Sequence, residues 1–331
     1  MARSVMGRIV SAFVPGKARR HKVRQVVSFG PIRALKAIRE ESRRKFKYYL
    51  AIVAIAKNEG CYILEWLEYH RIVGVEKVYF YDNESTDNTR EILAPYIESG
   101  YVEYIYCPGE KRQMPAYHDA LARYRNETQW LAVIDLDEFV VPLAMETVPD
   151  FLRQLPPKTT QVLLGWELYG SSGHEVKPDG FVIENFQHKG QIRQRHKAII
   201  NPRFTNYGYN AHTFCMINGN TVNGSGEVVG RKSPKLDYEN VVINHYHCKS
   251  WEEYETKRGK GDVYFGSSYD KYTRECFIAH DCNEIYDGVM DKYVPLLKKS
   301  LMINGGSTVN DLWLLSIYAS HESGQRIEAV I

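Results

Sequence analysis

The segment Trp130-Leu131-Ala132-Val133-Ile134-Asp135-Leu136-Asp137-Glu138-Phe139, residues 130–139, decides the fold. It is a short apolar run that stops abruptly at acidic residues, which predicts a buried strand rather than an amphipathic helix. The acids then lie at the carboxyl end of the strand, where open α/β sheets bind ligands. Asp135 and Asp137 are two residues apart, so on an extended chain they point the same way. Two carboxylates held close together repel each other, and a divalent cation carrying a diphosphate would satisfy both.

Similar apolar runs precede this segment and alternate with helical patterns. The runs lie at residues 49–56, 77–81 and 102–106, and helical patterns follow at 60–74, 87–96 and from Pro115. This alternation is typical of a parallel sheet with right-handed crossovers. The sequence therefore predicts a Rossmann-like α/β fold with a mostly parallel sheet and flanking helices.

Polar residues end three of the predicted strands, at residues 57–59, 82–83 and 135–137. A single polar strand end is usually a helix cap or a solvated turn. Three ends that share one edge of a parallel sheet instead predict a ligand site. Neither GxxxxGK[ST] nor GxGxxG occurs at these turns, which argues against a P-loop protein and against a dinucleotide-binding enzyme.

The composition allows one large domain or two modest ones, with 331 residues of which 44% are apolar. The six cysteines include no CxxC pair, which indicates reduced thiols in a cytoplasmic protein without a zinc site. No apolar run approaches the length of a membrane span. The 24 tyrosines, against 12 phenylalanines, favour a surface that meets sugars or lipid headgroups.

Positive charge is concentrated in residues 1–47, a basic arm with 14 Lys and Arg, 2 acidic residues and a net charge of +12. The rest of the chain carries −9. Apolar residues at 5, 6, 9, 10 and 13 form one stripe of a short helix, and a second basic helix is predicted from Pro31. Such an arm fits contact with an anionic membrane surface, but a solvated, disordered tail fits equally well. The acidic remainder argues against nucleic acid as a partner.

The second half of the chain is less regular. A helix is predicted at 148–155 and strands at 161–166, 193–200 and 212–217. Trp166 precedes a glycine- and serine-rich loop, and it fits either a sugar-stacking platform or a core position.

A second chemical centre lies in VVINHYHCKS, residues 241–250. His245 and His247 alternate along this predicted strand, so both face one side of it. Lys249 and the cationic residues at 257–260 follow. They fit either a clamp for a diphosphate or a solvated helix face.

Four segments carry a resemblance to a known family. They are AIAKNE at 54–59, EWLEYH at 65–70, YDNESTD at 81–87 and IDLDEF at 134–139. Over about residues 48–260 the chain resembles glycosyltransferase family 92 and its family 2 relatives. The resemblance implies a GT-A-type fold and inverting sugar transfer from a nucleotide sugar, usually with Mn²⁺ or Mg²⁺. The expected domains are the arm at 1–47, a GT-A-type domain at 48–280 and a helical tail at 281–331. Within the domain, 48–145 would be the nucleotide-binding half and 146–280 the acceptor half.

The same resemblance assigns roles by position. The nucleotide would be held by Lys57, Asn58, Glu59, Asp82, Asp135 and Lys249. Asp82 would accept a hydrogen bond from the base and favour uracil, and Asp135 would contact the ribose or a metal-bound water. The metal ligands would be Asp135, Asp137 and His245. His245 is preferred to His247 because GT-A-type enzymes commonly add one late histidine and family 92 has an NHY segment here. The acceptor would meet Trp166, His174 and His212.

The expected reaction moves one sugar from a UDP-sugar to a hydroxyl of a growing surface glycan, free or lipid-linked, at the inner face of the cell membrane. The residues assigned to catalysis are Asp137, Glu184 and Asp262, and Glu167 and Glu227 are further carboxylates that could act as the base. One alternative is a catalytically inactive nucleotide-sugar-binding or scaffold protein. Another is a nucleotidyltransferase, although its glycine- and arginine-rich phosphate loop is absent.

Overall fold

The computed structural model describes residues 2–40, 45–191, 195–230, 233–260, 264 and 272–304. The strands are β1 (Tyr48–Ala56), β2 (Lys77–Asp82), β3 (Val102–Tyr106), β4 (Thr128–Val133), β5 (Glu138–Pro142), β6 (Thr159–Leu168), β7 (His188–Lys189), β8 (His196–Ile200), β9 (Thr205–Gly208), β10 (Phe214–Met216), β11 (Asn220–Asn223), β12 (Val241–His245) and β13 (Ile285–Tyr286). The α-helices are α1 (Ala2–Ala12), α2 (Lys17–Phe29), α3 (Pro31–Glu40), α4 (Gly60–Ile72), α5 (Thr89–Glu98), α6 (Gln113–Tyr124), α7 (Val148–Gln154), α8 (Val182–Asn185), α9 (Trp251–Thr256), α10 (Arg274–His280) and α11 (Val294–Asn304).

The central sheet has nine strands in the order β3-β2-β1-β4-β8-β6-β12-β5, with β11 beside β6. The strands β3, β2, β1 and β4 are parallel neighbours, and β6 runs parallel to β12 and β11. In contrast, β8 and β5 run antiparallel to their neighbours. The predicted α/β class and mostly parallel sheet are confirmed. The alternation of apolar runs did not predict the two antiparallel strands.

The first strand, β1, is buried on both faces, as its unbroken apolar run predicts. Ile52 and Ala54 face the layer that contains α4 and α5, whereas Ala51, Val53 and Ile55 face the layer that contains α6. This burial fixes β1 in the middle of the parallel half. The turn that follows it is therefore central to the edge where ligands bind.

The turns after β1 and β2 are tied to each other. Asn58 adopts a left-handed backbone conformation with φ 54°, which asparagine tolerates better than most residues. Its side-chain oxygen accepts a hydrogen bond from the Thr86 N–H at 2.7 Å, and Asp87 Oδ2 accepts one from the Gly60 N–H at 2.9 Å. The two loops predicted to meet the nucleotide are thus held as one unit.

Glu65 on α4 holds the start of α8. Its carboxylate oxygens accept hydrogen bonds from the Val182 and Ile183 N–H groups at 2.8 and 2.9 Å, at the start of α8. Burial raises the pKa of Glu65 to about 7, although these two hydrogen bonds act to lower it. The carboxyl therefore titrates near neutral pH in the folded protein.

We expect the Glu65→Gln variant to have a flatter pH dependence of stability. Because the pKa of Glu65 in the folded protein lies above its unfolded value, stability is lost as the pH rises between the two. From about pH 5 to about pH 8, the wild-type protein should lose about 2 kcal/mol more unfolding free energy than the variant, measured by urea denaturation. Equal losses in the two proteins would contradict the raised pKa.

The basic arm folds as the helices α1, α2 and α3 and packs on the second half of the domain. Phe29, Ala34 and Ala37 are buried against Phe204 and Ile217. Both predicted helices are confirmed, and the basic cluster between them is helical as well. The arm is therefore part of the folded body rather than a solvated tail.

The arm leaves apolar side chains exposed on its outer side. Met6, Ile9, Phe13, Ile32 and Leu35 are each between 59% and 86% exposed. Among the described residues, no helix has both the length and the apolar character needed to cross a membrane.

The predicted C-terminal helical tail is represented by α11. Leu297 and Leu301 of this helix join the main core cluster beside Tyr69 of α4. Residues 305–331, which belong to the same predicted tail, lie outside the described part of the chain.

Candidate active site

The acidic segment forms the turn between β4 and β5. The Glu138 N–H donates to the Asp135 carbonyl oxygen at 3.2 Å, and the Asp135 N–H donates to Glu138 Oε2 at 3.0 Å. The acids do follow β4, as predicted, but the expected extended chain through Asp135 and Asp137 is wrong because the chain turns there into β5. The two aspartates consequently have separate partners.

Asp135 is held by groups of the protein itself. Its Oδ2 accepts a hydrogen bond from Lys197 Nζ at 2.7 Å, and its Oδ1 accepts from Gln113 Nε2 and the Tyr117 hydroxyl at 3.0 Å each. The Lys197 side chain is fully buried and also lies 3.3 Å from Glu138 Oε2. Burial acts to lower the pKa of Lys197, but Asp135 and Glu138 raise it, so this lysine stays charged.

Glu138 is the other buried carboxyl of this cluster. Burial raises the pKa of Glu138 well above its ordinary value, whereas the Lys197 ammonium acts to lower it. Burial also acts to raise the pKa of Asp135, yet Lys197 brings it below its ordinary value. As the pH falls, Glu138 therefore takes up a proton before Asp135 does.

Asp137, His245 and His247 form a compact group beside this cluster. Each offers one ligand atom, and these atoms all lie within 4.8 Å of one another. Antiparallel pairing of β12 with β5 places His245 opposite Glu138, and the Tyr246 N–H donates to the Asp137 carbonyl oxygen at 2.8 Å. The two histidine rings lie 5.4 Å apart between centroids. Both histidines lie close to the acidic turn, but β12 ends at His245, so the predicted alternation along one strand does not extend to His247.

Two buried lysines flank Asp137. Lys257 Nζ lies 3.3 Å from Asp137 Oδ2 and donates to the His247 carbonyl oxygen at 3.0 Å. Lys249 Nζ lies 4.1 Å from the Tyr62 ring centroid, and burial together with Lys257 lowers the pKa of Lys249. Burial acts to raise the pKa of Asp137, but Lys257 and His245 hold it well below its ordinary value. Positive charge is thus concentrated at one carboxylate, which suits an anionic ligand.

The donor set of this group fits a divalent transition metal. One carboxylate oxygen and two imidazole nitrogens match Mn²⁺ better than Mg²⁺, which prefers an all-oxygen shell. His245 Nε2 lies 3.5 Å from Asp137 Oδ1, so this nitrogen faces the carboxylate with which it would share a metal. Asp135, which the resemblance also assigns to the metal, lies outside this group.

The residues predicted to meet the acceptor are only partly brought together. The Trp166 ring lies 4.4 Å from the His245 ring and 5.2 Å from the His212 ring, between centroids. Trp166 and His212 thus border the Asp137 group. His174 lies elsewhere, packed at 5.7 Å against Phe186.

The residues predicted to meet the nucleotide lie along the adjacent strand ends. Lys57 and Glu59 follow β1, and the electrostatic influence of Glu59 on both Lys249 and Lys257 places it near the Asp137 group. Asp82 ends β2, which is two strands from β4, a separation of roughly 10 Å. Its carboxylate accepts hydrogen bonds from the Ser85 N–H at 3.0 Å and the Tyr104 hydroxyl at 2.6 Å.

Three of the candidate base carboxylates are engaged in ion pairs. Glu167 pairs with Lys189 at 2.8 Å, Glu184 with Lys298 at 3.0 Å and Glu227 with Lys235 at 3.3 Å. Asp262 lies outside the described residues. Glu167 directly follows Trp166 on β6, so its side chain points to the opposite face of the sheet from the Trp166 ring.

Sequence reasoning missed Gln113 and Tyr117 as partners of Asp135. They are four residues apart on α6 and therefore share a face of that helix. The helical pattern predicted from Pro115 gave no indication of either contact. The signal that could have found the pair is a polar group one turn before a tyrosine, on a helix that leads directly into β4.

An acidic turn, two histidines and buried lysines thus meet at one edge of a mostly parallel α/β sheet, the edge where such sheets bind ligands. The family model for Glycosyltransferase family 92 matches residues 55–284, more than half of the chain. The chain belongs to glycosyltransferase family 92, as the four sequence segments predicted.

Curated members of the family share about a quarter of their residues with this chain. A family 92 protein of Oryza sativa subsp. japonica is 26% identical over 218 residues, covering 65% of this chain and 36% of the relative. A family 92 protein of Arabidopsis thaliana is 26% identical over 238 residues, covering 66% of this chain and 38% of the relative. The chain thus spans just over a third of the length of these relatives.

Solved structures show weaker similarity. Residues 1–349 of Staphylococcus aureus TarS align with a TM-score of 0.36 and 14% identity, covering 85% of this chain and 94% of that one. The other structure is glucosyl-3-phosphoglycerate synthase of Mycobacterium tuberculosis, solved with Mn²⁺, UDP and glucosyl-3-phosphoglycerate. It aligns with a TM-score of 0.26 and 17% identity, covering 40% of this chain and 48% of that one.

Proposed function

We propose that this protein is an inverting, metal-dependent glycosyltransferase that moves a sugar from a nucleotide sugar, a UDP-sugar, to a hydroxyl group of a surface glycan. The observation that supports this most directly is the grouping of Asp137, His245 and His247 within 4.8 Å, with the buried Lys257 at 3.3 Å from Asp137. Carboxylate, imidazole and ammonium groups together suit a divalent metal that carries a diphosphate.

The donor would extend along the carboxyl ends of the parallel strands. Asp82 would meet the base, and residues 57–59 and Asp135 the ribose and its surroundings. Asp137, His245 and His247 would hold Mn²⁺, which when bound neutralises the charge that develops on the departing diphosphate. Lys249 and Lys257 would hold the diphosphate oxygens from the opposite side.

The acceptor would approach from the side of Trp166 and His212. Its hydroxyl would attack the anomeric carbon opposite the diphosphate, which inverts the configuration. A carboxylate would take the hydroxyl proton. Glu167, Glu184, Glu227 and Asp262 stay the candidates for this base.

The product released from the donor separates this proposal from its alternatives. The full-length protein would be incubated with Mn²⁺ and either a panel of nucleotide sugars or UTP together with a sugar 1-phosphate, and release of UDP and of pyrophosphate would be measured separately. UDP release that requires Mn²⁺ supports sugar transfer. Pyrophosphate release would identify a nucleotidyltransferase, and donor binding without turnover would identify a binding protein.

We expect the His247→Ala variant to bind Mn²⁺ at least about tenfold more weakly than the wild-type protein, because it loses one of three ligand atoms. Calorimetric titration with Mn²⁺ measures the change. His188→Ala is the control, since His188 contacts Ser172 and Tyr286 rather than Asp137. Unchanged Mn²⁺ affinity in His247→Ala would leave His245 as the only histidine ligand, as the family resemblance suggests.

We further propose that the arm holds the protein on an anionic membrane surface at the cytoplasmic face, close to a lipid-linked acceptor. Exposed apolar side chains on α1 and α3 lie among the 14 basic residues of the arm. Apolar insertion and attraction to acidic headgroups act together in such segments. Deleting the arm would uncover Phe204 and Ile217, so surface substitutions are the better test.

We expect the triple variant Phe13→Ser/Ile32→Ser/Leu35→Ser to bind phosphatidylglycerol vesicles at least about tenfold more weakly than the wild-type protein, because less apolar surface enters the bilayer. Vesicle co-sedimentation measures the difference. The matched control, Val176→Ser/Ile278→Ser/Tyr286→Ser, removes side chains of comparable exposure from the body. Equal effects of the two variants would count against an arm-specific contact.

A further inference from the structure

Lys249, one of the two lysines beside Asp137, is a buried cation without an acceptor of its own. The residue is 2% exposed. Among the residues that the structure describes, none forms a hydrogen bond or an ion pair with its Nζ. Glu59, Asp137 and Glu253 influence it electrostatically, but none of them pairs with it. Since a buried ammonium without an acceptor is costly, this arrangement suits a site that an anionic ligand completes.

The Tyr62 ring of α4 supports this ammonium from one side. Lys249 Nζ lies 4.1 Å from the ring centroid, well within the roughly 6 Å over which an aromatic ring attracts a cation. The Tyr62 hydroxyl donates a hydrogen bond to Glu253 Oε1 at 2.6 Å. This hydrogen bond tethers the ring, so the surface that meets the ammonium is fixed in place.

Glu253 also fixes the backbone next to Lys249. Its Oε2 accepts hydrogen bonds from the Ser250 N–H and the Ser250 hydroxyl at 3.1 and 2.6 Å, in the capping box of α9. Lys249 itself has a left-handed backbone conformation with φ 53°, which is uncommon for a residue other than glycine. Such conformations persist where surrounding contacts impose them, and they are concentrated at functional sites. One carboxylate therefore fixes both the ring under the ammonium and the turn that carries the lysine.

We propose that Tyr62 is a positioning residue, tethered by Glu253, that holds the Lys249 ammonium in place for the diphosphate of the donor. This inference rests on the proposed function, because the anion that Lys249 would meet is that of the nucleotide sugar. A lysine side chain that is already held in place loses less rotamer entropy when it binds an anion. Removal of the ring therefore weakens diphosphate binding, although Tyr62 acts only through Lys249.

Calorimetric titration of the full-length protein with UDP in the presence of Mn²⁺ tests the role of Tyr62. Tyr62→Leu, which removes the ring but keeps an apolar side chain, should weaken UDP binding at least about tenfold, because the ammonium loses its support. Tyr62→Phe keeps the ring and loses only the tether to Glu253, so its UDP affinity should stay within about threefold of the wild-type value. Tyr62 is only half-buried, so the fold is retained.

A matched variant controls for the loss of a tyrosine that faces a cation. Tyr49→Leu removes a ring whose centroid lies 4.9 Å from Arg153 Cζ, at the start of β1 and thus at the end of that strand opposite the site. This variant should bind UDP as the wild-type protein does. Equal weakening in Tyr49→Leu and Tyr62→Leu would contradict a specific role for Tyr62.

A double-mutant cycle shows whether Tyr62 acts through Lys249. In a Lys249→Met background, Tyr62→Leu should change UDP affinity by less than about twofold, because the cation that the ring supports is already gone. An undiminished loss in that background, or a Tyr62→Leu protein that binds UDP as tightly as the wild type, would overturn this inference and leave the proposed function intact. A wild-type protein that binds no UDP would instead overturn the proposed donor, and this inference with it.

Discussion

The Asp137→Asn variant is expected to lose sugar transfer by at least about 10³-fold while it retains the fold. The substitution removes the negative charge that the buried Lys257 and His245 face at 3.3 and 3.5 Å, without changing the size of the side chain. A carboxylate that holds a metal against the leaving group acts where charge develops in the transition state, and such groups contribute most to the rate. Metal-dependent UDP release from the donor that the wild-type protein uses measures this loss.

The comparison with Asp135→Asn makes this test specific. Both aspartates belong to the same acidic motif, but Asp135 accepts hydrogen bonds from Lys197, Gln113 and Tyr117 and lies outside the group formed with the two histidines. We expect Asp135→Asn to retain Mn²⁺ affinity within about tenfold of the wild-type value, whereas Asp137→Asn should bind Mn²⁺ far more weakly. If the two variants lost Mn²⁺ affinity equally, both aspartates would share the metal and the assigned group would be incorrect.

The first half of the fold could be predicted from the sequence because its signals are local. The apolar run of β1 is long enough to show burial on both faces, and β1, β2 and β3 are each followed by a recognisable helix. The predicted strand through His245 and His247 ends at His245, yet His247 still lies close to Asp137. The choice of a single histidine rested on resemblance alone, and the geometry now brings both to Asp137.

The second half could not be predicted in the same way. The strand β8 has only five residues, and neither its direction nor its insertion between β4 and β6 is encoded in so short a pattern. That insertion carries Lys197 to Asp135 across 62 positions of sequence. The separate partners of the two aspartates follow from this long-range pairing and from the turn into β5, and no local spacing reveals either of them.

The pairing of Lys197 leads to the largest expected effect on stability. The Lys197 side chain is fully buried between Asp135 and Glu138, whereas the Asp135 side chain keeps 30% of its exposure. Removing one partner of a buried ion pair typically costs about 3–5 kcal/mol, because the other charge loses its compensation without regaining water. Because Asp135 is partly hydrated, we expect a loss at the lower end of this range. Lys197→Met should therefore lower the unfolding free energy by about 3 kcal/mol.

A double variant shows whether Lys197→Met loses stability because a charge is left uncompensated or because packing changes. Lys197→Met/Asp135→Asn should regain part of the lost stability, since the charge left uncompensated by the first substitution is removed by the second. The same substitution at an exposed pair provides the control: Lys235 is 80% exposed and lies 3.3 Å from Glu227, so Lys235→Met should change stability by less than about 0.5 kcal/mol. Urea denaturation of the four proteins measures all these differences. A Lys197→Met protein as stable as the wild type, or a double variant no more stable than the single one, would show that this lysine does not hold the acidic turn in place.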